Sequence, residues 1–189
     1  MQVFDAVRLR RSIKPESMKP DPIPEDVLQN ILEAGNWAPS HGLTEPWRFI
    51  GFRGEGRRAL GEALCAATAE PDCMAADDPR RAKLITKVMT APVCLAIVCA
   101  PSSGANIVEH EEIASVAMAV QNMHLVARSH GLAAFWSSGK KAFAPSMARF
   151  LGLTPPSRCL GFFFLGYPGT DWPDGQRRPV EEKVIWRDE

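Results

Sequence analysis

The chain has 189 residues, of which 46% are apolar and 23% charged, with 22 Lys and Arg against 22 Asp and Glu. This composition excludes a mainly disordered chain, which needs low apolarity and high net charge. A net charge of zero leaves no basic footprint for nucleic acid or an anionic membrane.

The length predicts one domain, 1–189, with residues 177–189 as a C-terminal arm. Residues 1–11 carry Asp5 and no apolar run, so they do not read as a secretory signal. The apolar stretch 91–100 is far shorter than the roughly 20 residues of a membrane helix. The expected location is the cytoplasm.

Residues 2–10 predict a short helix with Val3, Phe4 and Val7 on one side. Pro15, Pro20, Pro22 and Pro24 follow, and Pro24 suits a first helical turn, where the missing N–H costs nothing. Val27, Leu28, Ile31 and Leu32 then recur at helical spacing to about Gly35. Residues 37–46 read as a loop, 47–52 as a strand and 54–69 as a helix, with 51–56 making the strand-to-helix turn. A polar loop, 70–78, precedes a helix over 80–89. The unbroken apolar run 92–99 predicts a central strand. After a break at 101–105, residues 109–129 form the longest helix. Its Ile113, Val116, Val120, Met123, His124 and Ala127 recur at three and four, and its charges are sparse, so burial nearly all round is expected. Gly131 supplies its stop. Residues 133–137 predict a strand, 145–151 a short helix and 159–165 a buried strand. The arm at 177–186 holds Val180, Val184, Ile185 and Trp186 to bury. The order predicts an α+β fold with a small sheet of about four strands and helices around it.

Several chemistries lack their motifs. No G-x-G-x-x-G follows a strand, and the regular alternation of a doubly wound nucleotide fold is missing. The odd set Cys65, Cys73, Cys94, Cys99 and Cys159 contains no C-x-x-C, which favours reduced thiols over a zinc site. There is no H-E-x-x-H, no carboxylate pair for a metal and no G-x-S-x-G nucleophile turn.

Four constellations could carry chemistry. Arg10, Arg11, Ser12 and Lys14 gather guanidinium forks, a hydroxyl and an ammonium, as a phosphate monoester requires, although such a run is also an ordinary solvated face. Trp37, Ser40, His41, Thr44 and Trp47 interleave polar groups with flat aromatics, suiting a heteroaromatic ligand; the plainer reading is a Pro-stiffened loop with Trp47 in the core. Trp136, Ser137, Ser138 and Gly139 end a strand with small residues that let a ligand approach the backbone. Arg177 and Arg178 open the arm and could close on a phosphate or simply solvate the tail. His124, in the long helix, reads as a core histidine.

Taken in order, the motifs resemble the small, single-domain FMN-dependent nitroreductases. The blocks are Arg10-Arg11-Ser12, the loop from Ala38-Pro39-Ser40-His41 to Glu45-Pro46-Trp47-Arg48-Phe49, Gln121-Asn122-Met123 through Trp136, and Gly161 to Pro168. Together they span nearly the whole chain. Glu45 stands where many relatives have Gln, and residues 70–90 match no block. The resemblance implies a sandwich with a mainly antiparallel sheet, a homodimer with the arm exchanged, and one FMN at each interface. Arg10, Arg11 and Ser12 would hold the phosphate and ribityl chain, and Lys14 would lie near flavin N1 and O2. Trp37, Ser40 and His41 would come from the partner subunit. Trp136, Ser137 and Ser138 would line the ring, and Arg178 falls near a phosphate ligand of the tail. The implied reaction is hydride transfer from NAD(P)H to flavin, then reduction of a nitroaromatic, quinone or similar acceptor from the same face. The competing readings are a non-catalytic flavin-binding or sensing protein, and a reductive dehalogenase of the same superfamily. The latter uses a lid tyrosine, whereas Tyr167 follows the last predicted strand.

Overall fold

A computed structural model describes residues 1–67, 75–102 and 107–188. The ends of the predicted helix 54–69 and of the break 101–105, much of the loop 70–78, and Cys73 lie outside the described residues. The elements are α1 (Val3–Leu9), β1 (Met18–Lys19), α2 (Glu25–Asn36), β2 (Trp47–Phe52), α3 (Glu55–Ala66), α4 (Pro79–Thr90), β3 (Val93–Cys99), α5 (Glu109–Ser129), β4 (Ala133–Ser137), α6 (Pro145–Phe150) and β5 (Arg158–Pro168). Single turns of 3-10 helix occur at Pro15–Ser17, His41–Leu43, Lys140–Phe143 and Val180–Lys183.

The sheet runs β1–β5–β3–β2, with β4 also paired to β5, and every strand pair is antiparallel. It has five strands rather than about four. The extra one, β1, is two residues long and is followed at once by Pro20, so it is too short to show an alternating pattern.

The strands are apolar on both faces because both faces are covered. Leu95, Ile97 and Cys99 of β3, with Phe163 and Leu165 of β5, meet Leu28 and Ile31 of α2 and Val116, Val120 and Met123 of α5. The alternate residues Cys94, Ala96, Phe162 and Phe164 meet Leu60 and Leu64 of α3, Val88 of α4 and Met147 of α6. The strand period of two thus sorts one continuous apolar run into two cores.

Helix α5 ends in a double hydrogen bond: Gly131 N–H to Arg128 O at 3.0 Å and Leu132 N–H to Ala127 O at 2.9 Å, with Gly131 at φ 76°. This is the Schellman stop that the glycine permits. The expectation that α5 is buried nearly all round does not hold within one chain. Met118 is 40% exposed, and Ala114 and Gln121 are exposed one turn to either side. The apolar side of α1 is also open, with Val3, Phe4 and Val7 all exposed. The arm adds exposed Val184, Ile185 and Trp186.

Candidate active site

Residues 10–14 leave α1 and run beside β4. Ser12 forms a parallel bridge with Ala134, and the Ile13 N–H donates to the Ala134 carbonyl at 3.1 Å. The basic segment is therefore laid against the strand that carries Trp136 and Ser137, joining the first and third constellations.

Arg10 is half-buried and reaches His124 of α5. Its Nη1 donates to His124 Nδ1 at 3.4 Å, and His124 Nε2 donates to the Arg11 carbonyl at 3.2 Å. A guanidinium can only donate and a carbonyl can only accept, so these two contacts fix the neutral tautomer with its proton on Nε2. Burial pulls the His124 pKa down to about 4, the Arg10 charge adds to this, and the bond to the Arg11 carbonyl opposes it. The imidazole is neutral at pH 7. Its ring meets Phe163 edge-on, with centroids 5.6 Å apart. Arg10 Nε is buried without a partner.

Arg11 spends its guanidinium on the fold. Nε donates to Pro173 O at 2.9 Å, and Nη1 to Arg8 O at 2.8 Å and Arg10 O at 2.6 Å. Gly175 lies so close to this guanidinium that a side chain there would collide with it. Arg128 donates to Leu9 O at 3.2 Å and sits 3.8 Å over the Trp172 ring. These contacts close residues 172–175 over the N-terminal segment and bring Arg177 toward Arg10. Burial first, then the charges of Arg177 and Arg11, hold the Arg10 guanidinium below its ordinary pKa. Burial and Arg11 do the same to Arg128.

Arg10, Arg11, Arg128 and Arg177 thus share one region, and no ion pair among the described residues includes any of them. Arginine does not shed its proton in a protein, so such a group is stabilised by an anion. Phosphate matches the fork geometry of guanidinium. Arg178 is placed differently: its side chain is 84% exposed, with Nε 3.9 Å from Glu182.

The model of the nitroreductase family matches residues 7–167. The chain belongs to the nitroreductase family. It is 30% identical, over 87% of its length and 89% of the relative's, to "Putative NAD(P)H nitroreductase YdjA" of Escherichia coli K12. A nitroreductase-like family protein from Bacillus cereus superposes with a TM-score of 0.87 at 26% identity, covering 100% of this chain and 97% of that one. A "putative nitroreductase in complex with fmn" from Desulfovibrio desulfuricans gives a TM-score of 0.76 at 26% identity, covering 100% and 98%. This nitroreductase is accordingly an oxidoreductase with the expected α+β fold.

The remaining predicted site residues of this nitroreductase fall in two places. Trp136 Nε1 is buried without a partner beside Gly161, where a Cβ would stand 2.7 Å from that nitrogen and 2.5 Å from Ser137 O. Gly161 has φ 131°, so both its conformation and its neighbours require glycine. Past Ser137, a cavity of about 320 Å³ opens over Phe162 and Phe164, with Lys87, Lys140 and Lys141 along it. Lys14 is exposed.

The loop 37–46 lies elsewhere. Trp37 is 79% exposed and donates to Glu33 at 2.6 Å. Ser40 Oγ accepts the Glu45 N–H at 3.2 Å. His41 Nδ1 stands 2.9 Å from Glu111 Oε2, with the imidazole 60% exposed. Thr44 donates to the buried Glu112 at 2.7 Å. Trp47 is 4% exposed, a core residue as expected.

The loop therefore hangs on the first turn of α5. His124 follows Glu111 by thirteen residues, or about 20 Å of helix. A single chain does not bring Trp37, Ser40 and His41 to Arg10. Sequence reading passed over two members of the basic region. Arg128 carried no signal, and His124 meets Arg10 across a sequence separation of 114 that no local pattern links.

Proposed function

We propose that this protein binds FMN and uses NAD(P)H to reduce a nitroaromatic, quinone or similar small acceptor, working in the cytoplasm as a homodimer. The observation that carries this reading is the clustering of Arg10, Arg11, Arg128 and Arg177 with no carboxylate partner among the described residues, together with the buried Arg10 Nε that lacks a partner. That donor set fits a terminal phosphate. The FMN complex of the Desulfovibrio desulfuricans relative supports the choice of cofactor.

When bound, the flavin supplies the redox chemistry, taking hydride from NAD(P)H and passing electrons on. The chain binds, orients and screens. Arg10 and Arg177 hold the phosphate, while Arg11 keeps residues 172–175 closed over it. Ser12 offers a hydroxyl on the same segment. Lys14, exposed on the same segment, would supply positive charge toward the flavin ring. Trp136, Ser137 and Ser138 form a wall, and Gly161 lets that wall sit close to β5.

The exposed surface of α5 supports a shared site. Helix pairing about a two-fold axis near Met118 would bury Ala114 and Met118 of both copies. It would also bring position 111 of one copy beside position 125 of the other. His41, held by Glu111, would then approach the other copy's Arg10 and His124. Burying the exposed apolar residues of α1 and of the arm adds roughly 25 cal/mol per Å².

Heat release of the cofactor followed by chromatography is expected to give FMN. Recovery of FAD, or no uptake of FMN on reconstitution, would overturn the reading. Rapid mixing of the yellow protein with NADH or NADPH is expected to bleach it, and a stable yellow colour would leave a flavin binder without reductase activity. Arg10→Ala and His41→Ala subunits, mixed, are expected to regain intact sites that neither parent has. A monomer, or mixing without recovery, would refute the shared site.

A further inference from the structure

The strongest feature that the reading above leaves unused is His124. It is 5% exposed, yet both ring nitrogens are engaged with the segment that carries the proposed phosphate ligands. One nitrogen meets the Arg10 guanidinium and the other meets the Arg11 backbone. Most histidines at such a helix position fill core space. This one also fills core space, edge-on to Phe163, but its polar contacts point to a second task.

We propose that His124 is a positioning residue for the anion end of the cofactor, holding Arg10 through Nδ1 in the orientation that receives the phosphate. The inference rests on the FMN reading and goes beyond it to a residue that does not touch the ligand.

Arg10 is long and flexible, and holding one rotamer costs it side-chain entropy. Arg177 and Arg11 repel it. Without an acceptor at its inner edge, Arg10 would be favoured to swing toward solvent, where its charge is better screened. His124 Nδ1 supplies the acceptor without supplying a charge. A carboxylate in its place would pair with Arg10 and compete with the incoming phosphate. A neutral imidazole leaves the net positive charge of the group intact. The bond from Nε2 to the Arg11 carbonyl fixes the tautomer that makes Nδ1 an acceptor, so the second contact is a condition of the first. Depression of the pKa to about 4 keeps this state through the physiological range.

The test compares FMN with riboflavin, which lacks the phosphate, by titrating flavin-stripped protein and following fluorescence quenching. His124→Phe keeps a ring against Phe163 and removes both nitrogens. It is expected to weaken FMN roughly tenfold, the effect of one hydrogen bond to a charged group, and to leave riboflavin unchanged. His124→Asn returns an acceptor near the Nδ1 position and is expected to restore most of the preference for FMN. His124→Gln reaches instead to the Nε2 position and is expected to restore less.

Equal losses for FMN and riboflavin in His124→Phe would mean a structural role only and would overturn the proposal. So would an unchanged FMN affinity in that variant. If His124→Phe does not fold, the Asn and Gln variants decide, and equal FMN-to-riboflavin ratios in those two would overturn it. The wild-type titration judges the FMN reading separately: binding of neither flavin would remove both readings together, whereas tight wild-type FMN binding with indifferent variants would remove this one alone.

Discussion

The Arg10 region and the loop at 37–46 are both predicted to serve one cofactor, and they are built in opposite ways. Around Arg10 the guanidinium groups are held in place within the chain by His124, the carbonyls of residues 8, 10 and 173, and the Trp172 ring, and the buried Arg10 Nε is left without a partner. The loop presents an indole that is 79% exposed, an imidazole that is 60% exposed, and Leu43 and Glu45 at positive φ. One region is positioned by its own fold, while the other has its large side chains in water. Burying Trp37 against a second copy would return the hydrophobic free energy that a single chain forgoes. The Arg10 region is therefore pre-organised within one chain, whereas the proposed role of the loop depends on a second copy.

The largest expected effect tests whether the Arg10 region is locked by a neutral histidine. His124 has its pKa lowered in the folded protein to about 4 from 6.5. Between those values the unfolded chain takes up a proton that the native chain refuses, so stability falls as pH falls. The loss begins near pH 6.5, amounts to about 3 kcal/mol by pH 4, and then stops, since both states are protonated below that. Urea titrations from pH 7 to 4 should show this slope in wild type and not in His124→Asn. A flat wild-type profile would mean that the imidazole is not held neutral, and the contrast between the two regions would weaken.

Next in size is Arg10→Ala. It removes a charged donor and should weaken FMN binding by about 1.5–3 kcal/mol. Arg11→Ala separates binding from closure. Its guanidinium already serves the carbonyls of residues 8, 10 and 173, so the variant should lose stability and become more sensitive to proteolysis near residue 173. Equal effects of the two substitutions on FMN affinity, with no change in proteolysis, would erase the distinction drawn between a ligand-facing arginine and a structural one.

The sequence showed much of the frame and less of the site. Strands β2 and β4 and helix α5 match their predicted bounds, the strands because Pro46 precedes Trp47–Phe52 and Gly131 and Gly139 flank Ala133–Ser137, the helix because its apolar residues recur at three and four up to the Gly131 stop. Strand β1 was not legible, since two residues have no period. The exposed face of α5 is not assigned by the sequence, because Ala114, Ala117 and Met118 look the same whether they face the chain's own core or another copy. In the candidate site, Arg10 and Ser12 stand out in the sequence as a local run. The His124 contact was not, because a histidine on a core face gives the same pattern whether or not an arginine from the other end of the chain comes to meet it. The choice between Arg177 and Arg178 depended on Arg128, Trp172 and Gly175 closing the chain over Arg11, a long-range event.

Smaller effects are expected from the loop. Trp37→Ala and His41→Ala should each change the stability of the isolated chain by no more than about 0.5 kcal/mol, as surface substitutions do. In the assembled protein both should alter the flavin environment, read as a shift in the visible absorption bands or in quenching of flavin fluorescence. If either substitution destabilises the protein by several times that amount and leaves the flavin spectrum alone, the loop is part of the fold and the comparison fails.

The smallest effect should come from Arg178, and it sharpens the comparison within two adjacent residues. Arg177 is close enough to Arg10 to lower its pKa. Arg178 is 84% exposed, stands 3.9 Å from Glu182, and its carbonyl accepts from Lys183 at 2.9 Å. A solvated arginine beside a carboxylate contributes little to an anion site one residue away, because salt screens it and Glu182 offsets its charge. Arg177→Ala should therefore weaken FMN several-fold, about half the logarithmic effect of Arg10→Ala, while Arg178→Ala should stay within about twofold of wild type. Raising the salt concentration should shrink the Arg178 effect to nothing and leave most of the Arg177 effect in place. The reverse ranking would mean that the tail rearranges when the cofactor or a second copy arrives, moving Arg178 into the position that Arg177 holds here.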